Sequence, residues 1–148
     1  MSEKKIIKLK IATQERLVEE RDIIKITIPT TSGVITILPD HVPLISTLNP
    51  GILEVAMEGG KQEELVVSGG FLEFHDNELT VLADTAERAD ELDLERAEEA
   101  RKRASEAKQA KRKLHDESQF AAIISQLEKQ NARVKLAKKY RGKSKKMQ

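Results

Sequence analysis

The chain has 148 residues, 39% of them hydrophobic and 34% charged, which suits one domain or two small ones with modest cores. It has no cysteine, and this excludes a disulfide framework, a thiolate nucleophile and a cysteine-ligated zinc site. The formal net charge of +1 hides a split: residues 1–88 carry 9 Lys+Arg against 15 Asp+Glu, and residues 89–148 carry 17 against 10, so two oppositely charged surfaces are expected to seek different partners.

No apolar run approaches the roughly 20 residues that span a bilayer, and the polar start at residues 1–5 lacks the apolar stretch of a signal peptide. A cytoplasmic protein without direct membrane insertion is expected. All four prolines lie at or before Pro50 and six of the seven glycines at or before Gly70, so the first half is rich in turns and the second is free of breakers from Phe71 to Arg141.

Short β-branched runs recur at residues 7–11, 24–28, 34–38, 52–55, 65–67, 71–74 and 79–82, with turn residues at 49–51, 59–60 and 76–77. They predict an antiparallel β-sandwich over residues 1–88. The Ser68, Gly69, Gly70 segment lacks the lysine that completes a phosphate loop and leads into a strand, so a bulge or tight strand turn is expected there. His41, His75 and His115 are scattered without metal-ligand spacing, and His41 sits on a loop stiffened by Pro39 and Pro43, as a contact residue would. With no nucleophile, metal cluster or paired acid and base, independent catalysis is not expected.

From about residue 89 the apolar period changes from two to seven. Ala97, Ala100, Ala104, Ala107 and Leu114 share one heptad seam with Lys111 as a polar intruder, and Phe120, Ile123, Ile124, Leu127, Val134 and Ala137 supply a bulkier seam interrupted by Gln130 and Asn131. The break between them falls near residues 114–118, where Asp116 and Gln119 resemble a capping box, and Asp90 with Asp93 offers a weaker start signal for the first helix. Residues 89–140 therefore read as an antiparallel two-helix hairpin, followed by a basic tail at 141–148. The hairpin buries little apolar area and carries 13 basic against 3 acidic residues from Lys108 onward, which suits a mobile arm seeking an acidic surface. A nucleic-acid-binding protein using the basic C-terminal helices is the alternative, although Tyr140 is the one aromatic beside the tail and stacking lacks its tools.

The segments 37–44 (ILPDHVPL), 48–51 (LNPG), 67–73 (VSGGFLE) and 80–86 (TVLADTA), followed by an alanine-rich helix pair, closely resemble the epsilon subunit family of bacterial F-type ATP synthases. The resemblance covers nearly the whole chain up to Arg141. It implies a non-catalytic subunit whose sandwich anchors the central stalk against the gamma subunit and the ring of c subunits. It further implies a hairpin that folds on the sandwich or extends toward acidic loops of the catalytic beta subunits and blocks ATP hydrolysis. Location at the cytoplasmic face of the membrane, as a peripheral part of a proton- or sodium-driven complex, follows from the same likeness.

His41 corresponds to the family's segment near gamma, and Ser32, Gly33 and Val34 to its ring-facing turn, where many relatives carry Glu in place of Val34. Some members bind regulatory ATP through an [IL]DxxRA motif, and this chain reads Leu92, Asp93, Leu94, Glu95, Arg96, Ala97. The resemblance then makes Glu87, Asp93, Arg96, Arg103, Lys129 and Arg133 the ATP ligands, with Lys129 standing where an arginine fork is usual. An Asp and Arg at i, i+3 are equally an ordinary pair that caps and braces a helix.

Overall fold

The computed structural model describes residues 5–112 and 117–146. Eight strands come first: β1 Ile7–Ala12, β2 Leu17–Ile23, β3 Lys25–Thr30, β4 Gly33–Ile37, β5 Leu44–Thr47, β6 Gly51–Ala56, β7 Gln62–His75 and β8 Glu78–Arg88. They hydrogen-bond in the order β2-β1-β8-β7-β6-β3-β4, with β5 added to the far half of β7. The pairs are antiparallel except β1 with β8, which run parallel from Lys8 opposite Glu78 to Ala12 opposite Leu82. A short 3-10 turn at Ala89–Glu91 leads into α1 Leu94–Lys111, and α2 spans Glu117–Lys146.

Alternation builds the core. Ile7, Leu9 and Ile11 of β1, Ile26 and Ile28 of β3, Leu53 and Val55 of β6, and Leu79 and Val81 of β8 form one buried cluster with Phe74 and Leu72. Each large side chain so buried contributes about 1.5–3 kcal/mol. The prolonged β7 joins the two halves of the sandwich: residues 62–67 pair with β6, whereas residues 71–74 pair with β5.

Between those halves the inward face changes parity, because Leu65 and Val67 point into the core before the bend and Leu72 and Phe74 after it. Gly69 and Gly70 make the change with φ of 56° and 96°. The pairing with β8 keeps a constant register across them, from Val67 opposite Ala86 to Leu72 opposite Val81. The expected bulge is thus a register-conserving bend of a single strand, and the two separate runs at 65–67 and 71–74 are one element.

Two further differences concern length. β2 and β5 were not expected from the pattern, and α2 continues past Tyr140 as helix through Lys146, so residues 141–146 are not a separate tail. The Asp116 cap and the seam position Leu114 fall outside the described residues.

Candidate functional site

The first helix begins where the sequence provides an acceptor. Asp93 is extended at φ −98° and ψ 114°, and its carboxylate accepts the backbone N–H of Glu95 (3.0 Å) and of Arg96 (3.3 Å), satisfying donors that the first helical turn leaves free. The second helix returns antiparallel, as shown by Lys138 with Glu98 (3.4 Å) at one end and Lys111 with Gln119 at the other. Burial is concentrated at the end near the sandwich, where Ala97, Ala132, Val134, Leu136 and Ala137 are enclosed; Phe120, Ile123, Ile124 and Leu127 toward the other end are only half-buried.

The base of the hairpin rests on the outer face of β6 and β7. Val66, Ala89, Ala132 and Leu136 form a small cluster with Ile52, Leu92 and Tyr140 around it. Ile52 and Val66 are direct cross-strand partners, so the docking surface is one rung of the sheet. The run Leu65, Val66, Val67 carried this signal in the sequence: three successive apolar residues in a strand mean that both faces are covered. The heptad assignment missed Ala132 and Leu136, which point to the sandwich instead of the partner helix.

Charge completes the contact. Arg133 Nε donates to Glu87 Oε2 at 2.7 Å, and its Nη1 donates at 2.7 Å to Gln130, a nearly buried side chain. Nearly two turns farther along α2, Lys139 Nζ donates to Glu64 Oε1 at 2.5 Å, and this bond together with the facing Glu54 holds the ammonium pKa above its ordinary value. The basic hairpin thus lies on acidic positions of the sandwich, and its two best-placed cations are already paired.

Of the six residues that the resemblance marks as ATP ligands, the fold brings Glu87 and Arg133 into direct contact and sets Asp93 beside Arg96 at 3.8 Å. Arg103 is exposed and Lys129 half-buried, and neither forms an ion pair among the described residues. Arg96 and Arg103 lie two turns apart on α1, about 10 Å along the axis, and Lys129 and Arg133 one turn apart on α2. The open cleft between the helices is lined by Glu95, Glu98, Glu99 and Glu106 against only two cations, Arg101 and Lys102, and none of the six lines it. Its carboxylates make it a poor phosphate site.

On the sandwich, a reciprocal clamp shapes the loop with His41. The Asp40 N–H donates to Asn77 Oδ1 (2.6 Å) and Asn77 Nδ2 donates to Asp40 Oδ1 (3.0 Å), while Lys5 reaches the same carboxylate. Hydrogen bonds from Lys5 and then Asn77 hold the Asp40 carboxyl below its usual pKa. His41 sets its ring edge-on to Phe74 at 5.8 Å, with Nδ1 placed 2.7 Å from the Val42 carbonyl oxygen. Val42 and Ile45 beside it are 70% and 75% exposed. Phe71 and Leu82, cross-strand partners that are also exposed, continue this apolar surface over β7 and β8, and Ala12 and Leu17 extend it over β1 and β2.

The turn before β4 is held by Thr30, whose hydroxyl donates to the Gly33 carbonyl (2.7 Å) and accepts the Ser32 N–H (3.2 Å). Gly33 takes φ 111° and Val34 projects with 71% of its surface exposed on an edge strand.

Residues 6–89 match the family described as the β-sandwich domain of the ATP synthase delta/epsilon chain. The ATP synthase epsilon chain of Chloroflexus aggregans is 40% identical over 131 residues, covering 88% of this chain and 91% of that relative. The epsilon chain of Pelotomaculum thermopropionicum is 48% identical over 99 residues, 67% of this chain and 73% of the relative. A chain in the cryo-EM structure of the Euglena gracilis mitochondrial ATP synthase, comprising OSCP, F1 and c-ring, superposes with a TM-score of 0.74 at 28% identity, covering 89% of this chain and 81% of that one. A sandwich matched along its full length, and a bacterial relative aligned through the helices as well, place this chain in the ATP synthase delta/epsilon family, as an epsilon chain.

Proposed function

We propose that the chain is a rotor subunit of the central stalk, anchored by residues 1–88 and acting as a brake on ATP hydrolysis through the hairpin of residues 89–140, whose second helix runs on through Lys146. The observation that carries this is the slightness of the docking contact: among the described residues, one small apolar cluster and two cross-contact ion pairs hold two long helices to the sandwich. Elements held by few buried contacts open at low cost, and a cationic arm matches acidic loops of the catalytic beta subunits. The exposed apolar surface around Val42, Ile45, Phe71 and Leu82 serves the gamma subunit, with His41 and the Asp40–Asn77 clamp setting its loop. The Ser32, Gly33 and Val34 turn meets the ring of c subunits through an apolar tip. The assembly is peripheral, at the cytoplasmic face of the membrane, and driven by protons or sodium ions.

Replacing Val42 and Ile45 together by Asp tests the anchor. Both are exposed, so the sandwich remains folded, and affinity for purified gamma falls about 30-fold or more if they lie in the core of the interface. Retained affinity would move the gamma contact elsewhere.

Regulatory ATP is part of the same proposal, with Arg96, Arg103, Lys129 and Arg133 taking phosphates and Glu87 or Asp93 accepting from the base or ribose. No hydrolysis by this subunit is involved. Because Glu87 and Arg133 already satisfy one another, ATP has to compete with that bond, and binding is correspondingly weak. Calorimetry of the full chain with ATP, with and without magnesium, shows binding that Arg103→Ala weakens about tenfold or more. Absence of heat at millimolar ATP would leave residues 92–97 as a capping motif alone.

A further inference from the structure

Glu19 is the most enclosed charged side chain among the described residues, only 5% exposed, and nothing proposed so far uses it. It lies on β2, an edge strand, and takes two guanidinium groups: Arg21 on one oxygen and Arg88 Nη2 at 2.6 Å on the other. Arg88 also donates to the Val18 carbonyl at 3.4 Å. A carboxylate so deeply placed is tolerable only with such partners, so Arg88, the last residue of β8, is tied sideways to β2.

The next residues are tied from the other side. The Arg88 N–H donates to Glu91 Oε2 at 3.2 Å, and Arg16 Nη2 lies 3.3 Å from both Glu91 oxygens. Arg16 itself is fixed in the β1–β2 turn, where its carbonyl accepts the Thr13 N–H at 2.9 Å. Ala89 is buried against Val66, and the Leu92 N–H closes the turn on the Ala89 carbonyl at 3.3 Å. After this point the backbone is extended at Leu92 (φ −83°, ψ 127°) and Asp93 (φ −98°, ψ 114°), and α1 begins.

We infer that Glu19 and Arg16 clamp the 3-10 turn Ala89–Glu91 to the β1–β2 hairpin, so that this turn belongs mechanically to the anchor and the arm pivots at Leu92 and Asp93. This rests on the proposed mobility of the hairpin. Two extended residues can absorb a large change of φ and ψ, whereas rotation within the turn breaks the Arg16–Glu91 pair, the Arg88 N–H bond to Glu91 and the burial of Ala89, and displacement of Arg88 breaks its pair with the buried Glu19. The clamp therefore fixes the origin of the arm's swing and keeps Glu87 and Arg88 in place whichever way the arm points.

Two measurements on the full chain decide it. Native-state hydrogen exchange at residues 88–91 is expected to accelerate about two- to fivefold in Arg16→Ala, which removes an exposed pair, and at least about tenfold in Glu19→Gln, with amides in the β6–β7 ladder unchanged. Unchanged exchange at 88–91 in both variants would overturn the clamp. The chain lacks cysteine, so paired spin labels can be placed cleanly at Lys10→Cys with Asp90→Cys, and at Lys10→Cys with Gln109→Cys. In Arg133→Glu with Lys139→Glu, which reverses both docking charges, the 10–109 distances broaden and the 10–90 distances stay narrow. Broadening of both would put the pivot before Ala89 and overturn the inference. A 10–109 distance that stays narrow would count against the mobile arm, and the exchange rates would still decide the clamp.

Discussion

Removal of residues 92–148 is expected to leave a folded, stalk-binding sandwich and to raise ATP hydrolysis by the reconstituted complex severalfold. The first half of this expectation follows from the core. The buried cluster that includes Ile7, Ile26, Leu53, Leu72, Phe74 and Val81 draws none of its described members from α1 or α2, and the cut falls after the clamped turn, so Glu19 and Arg88 keep their partners. The cost is exposure of Ile52, Val66 and Ala89, a small patch that lowers solubility before it lowers stability. The second half follows from the proposed brake: an arm that blocks the catalytic head removes a fraction of complexes from turnover, and its deletion restores them. Thermal melting of the truncated chain and steady-state hydrolysis by the complex measure the two halves separately. A stable truncation with unchanged hydrolysis would refute the brake and leave the anchor standing.

Gly70→Ala is expected to be the most damaging single substitution in the sandwich. Its φ of 96° is strained for any L side chain, and an added Cβ would meet the Leu82 carbonyl oxygen and lie 2.9 Å from Ala83 Cα. Those are backbone atoms of the paired strand and cannot rotate away. Backbone strain of about 1–3 kcal/mol and overpacking of about 1–3 kcal/mol together approach the whole stability of a small domain. Gly69→Ala is the control: its φ of 56° is tolerated by some residues, and the obstructing group is the Asp84 carboxylate, the movable end of a side chain. Denaturant unfolding should therefore show a much larger loss at Gly70, and equal losses would mean that the strand bends elsewhere.

The sandwich was legible because most strands alternate cleanly, as in Ile7, Leu9 and Ile11, and the helices because residues 71–141 contain neither Gly nor Pro. What escaped has physical causes. β2 reads Leu17-Val18-Glu19-Glu20-Arg21-Asp22-Ile23, and its inward position is held by a carboxylate paired with two arginines, which no apolar pattern reveals. β5 has only four residues and takes its place from β7. The bend in β7 reverses the parity of the inward face, so one strand looks like two. At the hairpin base, Gln130 reads as an interruption of an apolar stripe, yet it accepts from Arg133 and orients that guanidinium toward Glu87. The pairing of Glu87 with Arg133 is long-range, 46 residues apart, and depends on how α2 crosses the sheet, which periodicity does not encode.

The parallel pairing of β1 with β8 has a consequence for how the molecule is made. The first strand finds its second neighbour only in the last, with Lys8 opposite Glu78, so the sheet stays incomplete until nearly all of residues 1–88 have been synthesised. Contacts this distant in sequence close slowly. Because α1 and α2 follow β8, the surface around Ile52 and Val66 that receives them is assembled before they emerge. The order of synthesis thus delivers the anchor first and the arm second, and a newly made hairpin meets a finished docking site.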